Sequence, residues 1–158
     1  MGIAIGAAAP TFTLQDLAGH DVSLNDFAGT WVVLYFYPKD DTPGCTTEAC
    51  EFTSGLKGFE RLKAKVIGVS PDSPASHRAF IDKYKLGVTL LSDPDHRVLE
   101  EYGAWGKKMS AGKETTGVIR STVIIDPKGK IAYHWPTVTA KGHAEEVERK
   151  LAQLKNGE

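Results

Sequence analysis

The feature that most constrains this chain is the run WVVLYFY at positions 31–37, which is apolar throughout and rich in β-branched and aromatic residues. An unbroken run of that kind predicts a central strand buried on both faces, because a half-exposed strand would alternate apolar with polar residues. The run stops at Pro38, a polar stretch fills 39–44, and a helical pattern begins near Cys45. A cysteine thus stands where a buried strand hands over to a helix.

The remaining segments read as alternating strands and helices. Short extended pieces are expected at 11–14 and 21–24, and a second buried strand at 66–69. The helix begun near Cys45 runs through Phe52, weakens at Gly55 and Gly58, and resumes at 59–62. Ser73 followed by Pro74 supplies an N-cap and a first-turn proline for a helix reaching about Tyr84. A strand at 90–92, a helix at 95–102 closed by Gly103, a hairpin pairing 121–125 with 131–134, and a final helix over 143–154 complete the order. Strand–helix alternation implies right-handed crossovers and a parallel core, to which the hairpin adds antiparallel strands. The expected fold class is α/β: a mixed central sheet flanked by helices, compatible with a thioredoxin-like fold. The 158 residues show no repeat, low-complexity segment or linker, so a single domain over 1–158 is expected.

Charge narrows the function classes. The net charge is -1, with 19 basic and 20 acidic residues, and gives no electrostatic footprint for nucleic acid or an anionic membrane. The strongest apolar run is far shorter than the roughly 20 residues that span a bilayer. Ala7-Ala8-Ala9 resembles a signal-peptidase site only superficially, since no basic residue precedes it. A cytoplasmic protein is expected.

Two cysteines in a chain of this size are not a disulfide scaffold. At a helix N-terminus, unpaired backbone N–H groups and the macrodipole favour a thiolate, which is the nucleophilic form. The bland alternative for Cys45 is a small buried hydrophobe. Cys50 lies five positions on, and in a continuous helix that spacing separates the Cα atoms by ~8.7 Å, against the ~7 Å a disulfide tolerates. A Cys45–Cys50 bridge would therefore require the helix to unwind. Metal binding is disfavoured, because C-x4-C lacks a second ligand pair among His20, His77, His96, His134 and His143. The C-x-x-C of a dithiol reductase is absent, and a Cys–His hydrolase stays open at this point.

The segment Pro38-Lys39-Asp40-Asp41-Thr42-Pro43-Gly44-Cys45-Thr46-Thr47-Glu48-Ala49-Cys50 resembles the active-site signature of peroxiredoxins, and more narrowly that of the bacterioferritin-comigratory protein (peroxiredoxin Q) branch. Further segments match in the family's order: Leu34 to Asp40, Ile67 to Ser73, Leu91 to Pro94, Tyr102 to Gly106, Arg120 to Asp126, and Lys141 to Val147. The resemblance implies a thiol peroxidase acting on hydrogen peroxide and organic hydroperoxides. Cys45 would be the peroxidatic residue and Cys50 the resolving one. Thr42 would hold thiolate and peroxide with its hydroxyl, and Arg120 would stabilise the thiolate and the leaving oxygen. Glu48 resembles the acid that orients that arginine, while Pro38 and Pro43 shape the pocket. Gly44 would ease helix opening, a reading that follows from glycine's conformational freedom.

Taken alone, Arg120 reads as a surface cation and Thr42 as a helix cap; the resemblance reverses both. It also implies a monomer needing no cofactor and no metal, with thioredoxin as reductant and glutaredoxin as the runner-up. A peroxide sensor or redox-switched binding protein using the same disulfide is the rival, and an inactive thioredoxin-fold module a more distant one. His134-Trp135-Pro136 and the loop over 105–117 read as packing and turn structure.

Overall fold

A computed structural model describes residues 3–156, the side chain of Ser110 apart. Seven strands form one twisted sheet. They are β1 (Thr13–Gln15), β2 (Asp21–Ser23), β3 (Trp31–Phe36), β4 (Ala64–Ser70), β5 (Thr89–Ser92), β8 (Ser121–Ile125) and β9 (Ile131–Trp135), in the spatial order β2-β1-β5-β4-β3-β8-β9. β3, β4 and β5 are parallel, and β8 joins β3 antiparallel, with Leu34 opposite Ile67 on one side and Val123 on the other. The expected mixed sheet with a parallel core is present, and the expected 121–134 hairpin forms its far edge.

The apolar run at 31–37 forms the heart of this sheet. Val32, Leu34 and Phe36 point to one face and Val33, Tyr35 and Tyr37 to the other, all at most 1% exposed. Burial of each such side chain contributes about 1.5–3 kcal/mol. The helices α1 (Pro43–Ser54), α2 (Leu56–Arg61), α3 (Pro74–Tyr84) and α5 (His143–Lys155) cover the Val33–Tyr35–Tyr37 face. The other face is closed by α4 (Arg97–Glu101) and by Phe12, Leu14 and Leu24 from the N-terminal part of the chain.

Several boundaries differ from the expectation by a residue or two, and three differences bear on the site or the topology. Helix α1 begins at Pro43, two residues before Cys45, because proline is suited to a first helical position. The weakening at Gly55 is a break between α1 and α2 rather than a continuation. The expected loop over 105–117 is a two-stranded ribbon, β6 (Trp105–Ser110) and β7 (Lys113–Val118), turning at Ala111 (φ 53°) and Gly112 (φ 80°). Both turn residues have the positive φ of a hairpin turn that matches strand twist. Alanine at the first of them hides the turn, and the exposed Lys, Thr and Glu side chains of the ribbon give no apolar alternation.

Candidate active site

β3 ends at Phe36, and the chain crosses the C-terminal edge of the parallel strands on residues 37–42 before entering α1. Thr42 is the N-cap residue of α1, but its side chain makes no cap hydrogen bond. Its hydroxyl donates instead to the carbonyl of Lys39 (2.9 Å), leaving the oxygen's lone pairs available. The first bond of the helix runs from the Thr46 N–H to the Thr42 carbonyl (2.8 Å). The amides of Gly44 and Cys45 lie ahead of it and have no intrahelical acceptor.

Cys45 is 1% exposed, and its Sγ accepts a hydrogen bond from Arg120 Nη2 at 3.3 Å. Arg120 comes from 75 residues along the chain, immediately before β8, and its Nη1 donates to Glu48 Oε1 at 2.6 Å. Cys45 and Glu48 are three apart on α1 and so share one helix face. The guanidinium bridges them, using two arms of its planar fork. Gly44 explains how it fits: a Cβ there would lie 3.1 Å from Arg120 Nη2. Pro38, just past the end of β3, is half-buried, whereas Pro43 is exposed at the helix start. Among the described residues no histidine is hydrogen-bonded to Cys45, so the arrangement of a Cys–His hydrolase is not formed.

The electrostatics are uneven. Burial pushes the Glu48 carboxyl up from its ordinary 4.5 to about 7, against the opposing pull of Arg120. Glu48 is 0% exposed, and among the described residues its Oε2 has no hydrogen-bond partner. Burial also opposes the charge of Arg120, but Glu48 and then Cys45 outweigh it and raise its pKa. An acid whose pKa is higher folded than unfolded favours the folded state in its protonated form. Its contribution is complete below about pH 4.5 and is lost as pH rises through about 7. The expected result is an unfolding midpoint in urea that falls across that interval. Glu48→Gln, which cannot ionise, should flatten the fall; an equally steep pH dependence in the variant would assign it to other groups.

Cys50 lies on the same helix but not in this pocket. It is half-buried, packs against the core, and borders a groove between α1 and α5 with Glu51, Ser54, Gly142 and Glu148. Glu51 Oε1 accepts the N–H of Gly142 (2.8 Å) and ties the two helices together. Phe52 is fully buried and stacked on Tyr35 with centroids 4.7 Å apart, anchoring the C-terminal end of α1. Both cysteines are free thiols on a continuous helix, the state in which the spacing forbids a bridge. Trp135 packs edge-on against His143 (5.2 Å), in line with the packing expected of it.

The sequence model of the AhpC/TSA family matches residues 5–134 of the chain. The chain is a peroxiredoxin of the AhpC/TSA family. Peroxiredoxin Bcp of Bacillus subtilis is 44% identical over 154 residues, covering 98% of each chain. Peroxiredoxin Bcp of Escherichia coli is 40% identical over 142 residues, covering 90% of this chain and 91% of the other. Among solved structures, a Xanthomonas campestris bacterioferritin comigratory protein superposes with TM-score 0.86 at 37% identity, covering 97% and 98% of the two chains. A mutant Xylella fastidiosa PrxQ gives 0.90 at 36% identity, with the same coverage of 97% and 98%. This peroxiredoxin therefore shares the thioredoxin-like fold and the branch that its sequence resembles, and its activity is that of a peroxidase. Among the described residues no helix is long and apolar enough to cross a membrane.

Proposed function

We propose that this peroxiredoxin is an atypical two-cysteine enzyme in which Cys45 attacks the hydroperoxide and Cys50 resolves the product. The observation that carries the reading is the guanidinium of Arg120, held by Glu48 and donating to Cys45 Sγ at 3.3 Å. A fixed cation beside the sulfur favours the thiolate. The thiolate attacks the terminal oxygen of ROOH; the S–O bond forms as the O–O bond breaks, leaving Cys45–SOH and RO⁻, which takes up a proton as ROH. Charge grows on the departing oxygen, and donors already aimed there lower the barrier without reorganising. Arg120 and the unpaired amides of Gly44 and Cys45 are those donors, while the Thr42 hydroxyl, whose hydrogen goes to the Lys39 carbonyl, accepts from the O–H of the incoming peroxide. Pro38 and Pro43 limit solvent around them. With Cys45 1% exposed, only the small –OOH end of a substrate needs to reach the sulfur. That suits both hydrogen peroxide and organic hydroperoxides, and the Xanthomonas relative was studied for alkyl peroxide reduction.

Cys50 then attacks the sulfenic sulfur, releasing water and forming the Cys45–Cys50 disulfide. Helix α1 must unwind ahead of its Phe52 anchor for this step. A dithiol protein reduces the disulfide by exchange; thioredoxin is the reductant we assign, ahead of glutaredoxin. Resolution within one chain needs no second subunit, consistent with a monomer working in the cytoplasm.

Cys50→Ser tests the two-cysteine assignment. The variant should consume one equivalent of peroxide at the wild-type rate and then stall, with thioredoxin-coupled NADPH oxidation reduced to a small fraction. Cycling at the wild-type rate would remove Cys50 from the mechanism. Steady wild-type turnover with thioredoxin would also separate an enzyme from a peroxide sensor.

A further inference from the structure

The loop that carries Thr42 is fastened from below by a buried polar cluster that peroxide chemistry as described does not use. His77, on α3, is 0% exposed, and both its ring nitrogens are engaged. Nε2 lies 3.1 Å from the Leu91 carbonyl, which can only accept, so Nε2 carries a hydrogen. Nδ1 lies 2.7 Å from Asp40 Oδ2. Asp40 also accepts from the Tyr37 hydroxyl at Oδ1 (2.6 Å) and the Ser76 hydroxyl at Oδ2 (2.8 Å).

The same residue is tied through its backbone. The Asp40 N–H donates to Asp72 Oδ2 (2.8 Å), which also accepts from the Ser70 hydroxyl (2.8 Å). Asp40, Asp72 and His77 bring three metal-type donors close together, but these hydrogen bonds already occupy them. Next along the chain, Asp41 adopts φ 59° and accepts from Lys83 Nζ (2.8 Å) and the Tyr84 hydroxyl (2.5 Å), both on or at the end of α3. Two successive aspartates therefore moor the loop to α3. A buried polar cluster of this kind stabilises a fold no better than apolar packing of equal volume. Its distinctive effect is to define one position for a polar segment that has little core contact of its own.

We infer that the Asp40–His77 pair is a positioning element for the peroxide step, fixing where Thr42 presents its hydroxyl to the substrate. The inference rests on the peroxidatic role proposed for Cys45. Arg120 reaches the sulfur from the start of β8 and is held by Glu48 on α1, and these two hydrogen bonds involve no group of α3. Loosening the pair should thus misplace the peroxide while leaving the environment of the sulfur intact. Near-attack geometry is sensitive to such displacement, with losses up to about a hundredfold for a 1 Å error.

The test compares two reactions of Cys45 in His77→Leu and His77→Gln: the single-turnover rate with hydrogen peroxide, and alkylation by iodoacetamide read at the Cys45 peptide by mass spectrometry. His77→Leu should lower the peroxide rate by about tenfold or more with alkylation unchanged, and His77→Gln, which retains a donor, should recover part of the loss. Asp40→Asn, similar in shape, carries the same expectation and serves if His77→Leu does not fold. An unchanged peroxide rate in a folded variant, or a parallel loss in both reactions, would overturn the inference. A wild-type Cys45 that does not react with peroxide would instead overturn the proposed function itself.

Discussion

Cys45→Ser is expected to take peroxide reduction to the uncatalysed background, a loss on the order of 10⁴-fold or more, as when other enzymes lose their nucleophile. The serine hydroxyl keeps the size of the thiol and can accept the same hydrogen bond from Arg120, so the fold should persist. What disappears is an ionisable atom: a hydroxyl does not deprotonate beside one guanidinium, and no histidine base is hydrogen-bonded to this position among the described residues. NADPH oxidation with thioredoxin, thioredoxin reductase and a hydroperoxide is the measurement, with circular dichroism as the folding control. Turnover that survives the substitution would relocate the chemistry to another residue. If wild type failed to turn over as well, direct peroxide treatment with mass analysis of Cys45 would separate a wrong reductant from a wrong nucleophile.

Arg120→Met should lower the second-order rate of Cys45 with peroxide by about 10²–10³-fold, the cost of removing one donor from a site of developing charge. Methionine preserves much of the volume but neither the charge nor the fork. A second effect should accompany the first. Glu48 is fully buried and loses its hydrogen-bonded cation, and an uncompensated buried charge costs about 3–5 kcal/mol unless the carboxyl takes up a proton. The stability loss should accordingly be larger above pH 7 than below pH 4.5, the interval over which Glu48 ionises. Stopped-flow rates and urea midpoints at both ends of that interval check the two effects independently. A rate within a factor of a few of wild type would show that the thiolate and leaving oxygen are stabilised by backbone amides alone.

Local signals explain what could be read in the sequence. The 31–37 run, the proline that ends it and the cysteine that follows sufficed to place a candidate nucleophile at the mouth of a parallel sheet. The Ser73-Pro74 start of α3 was equally visible, and the Ser73 hydroxyl does accept from the Ser76 N–H (3.1 Å). Arg120 was not legible on its own, because its partners stand 72 and 75 residues away and periodicity carries no such information. Only the family resemblance selected it. The Asp40–His77 contact was missed for the same reason: each residue looks like an ordinary polar group until α3 folds back beneath the loop. The β6–β7 ribbon was missed for a different one, since strands exposed on both faces lack the apolar pattern that marks a strand.

The continuity of helix α1 has a kinetic consequence. While the helix is wound, a newly formed sulfenic acid remains in the pocket built for peroxide and faces whatever peroxide arrives next. In the proposed two-cysteine mechanism its rescue by Cys50 would be first-order, limited by helix opening, whereas its further oxidation to sulfinic acid would be second-order. The fraction of enzyme lost per cycle therefore rises in proportion to peroxide concentration, with a slope set by how often α1 opens. Contacts that steady the helix, such as the Glu51–Gly142 hydrogen bond, would then set the dose at which the peroxidase inactivates itself.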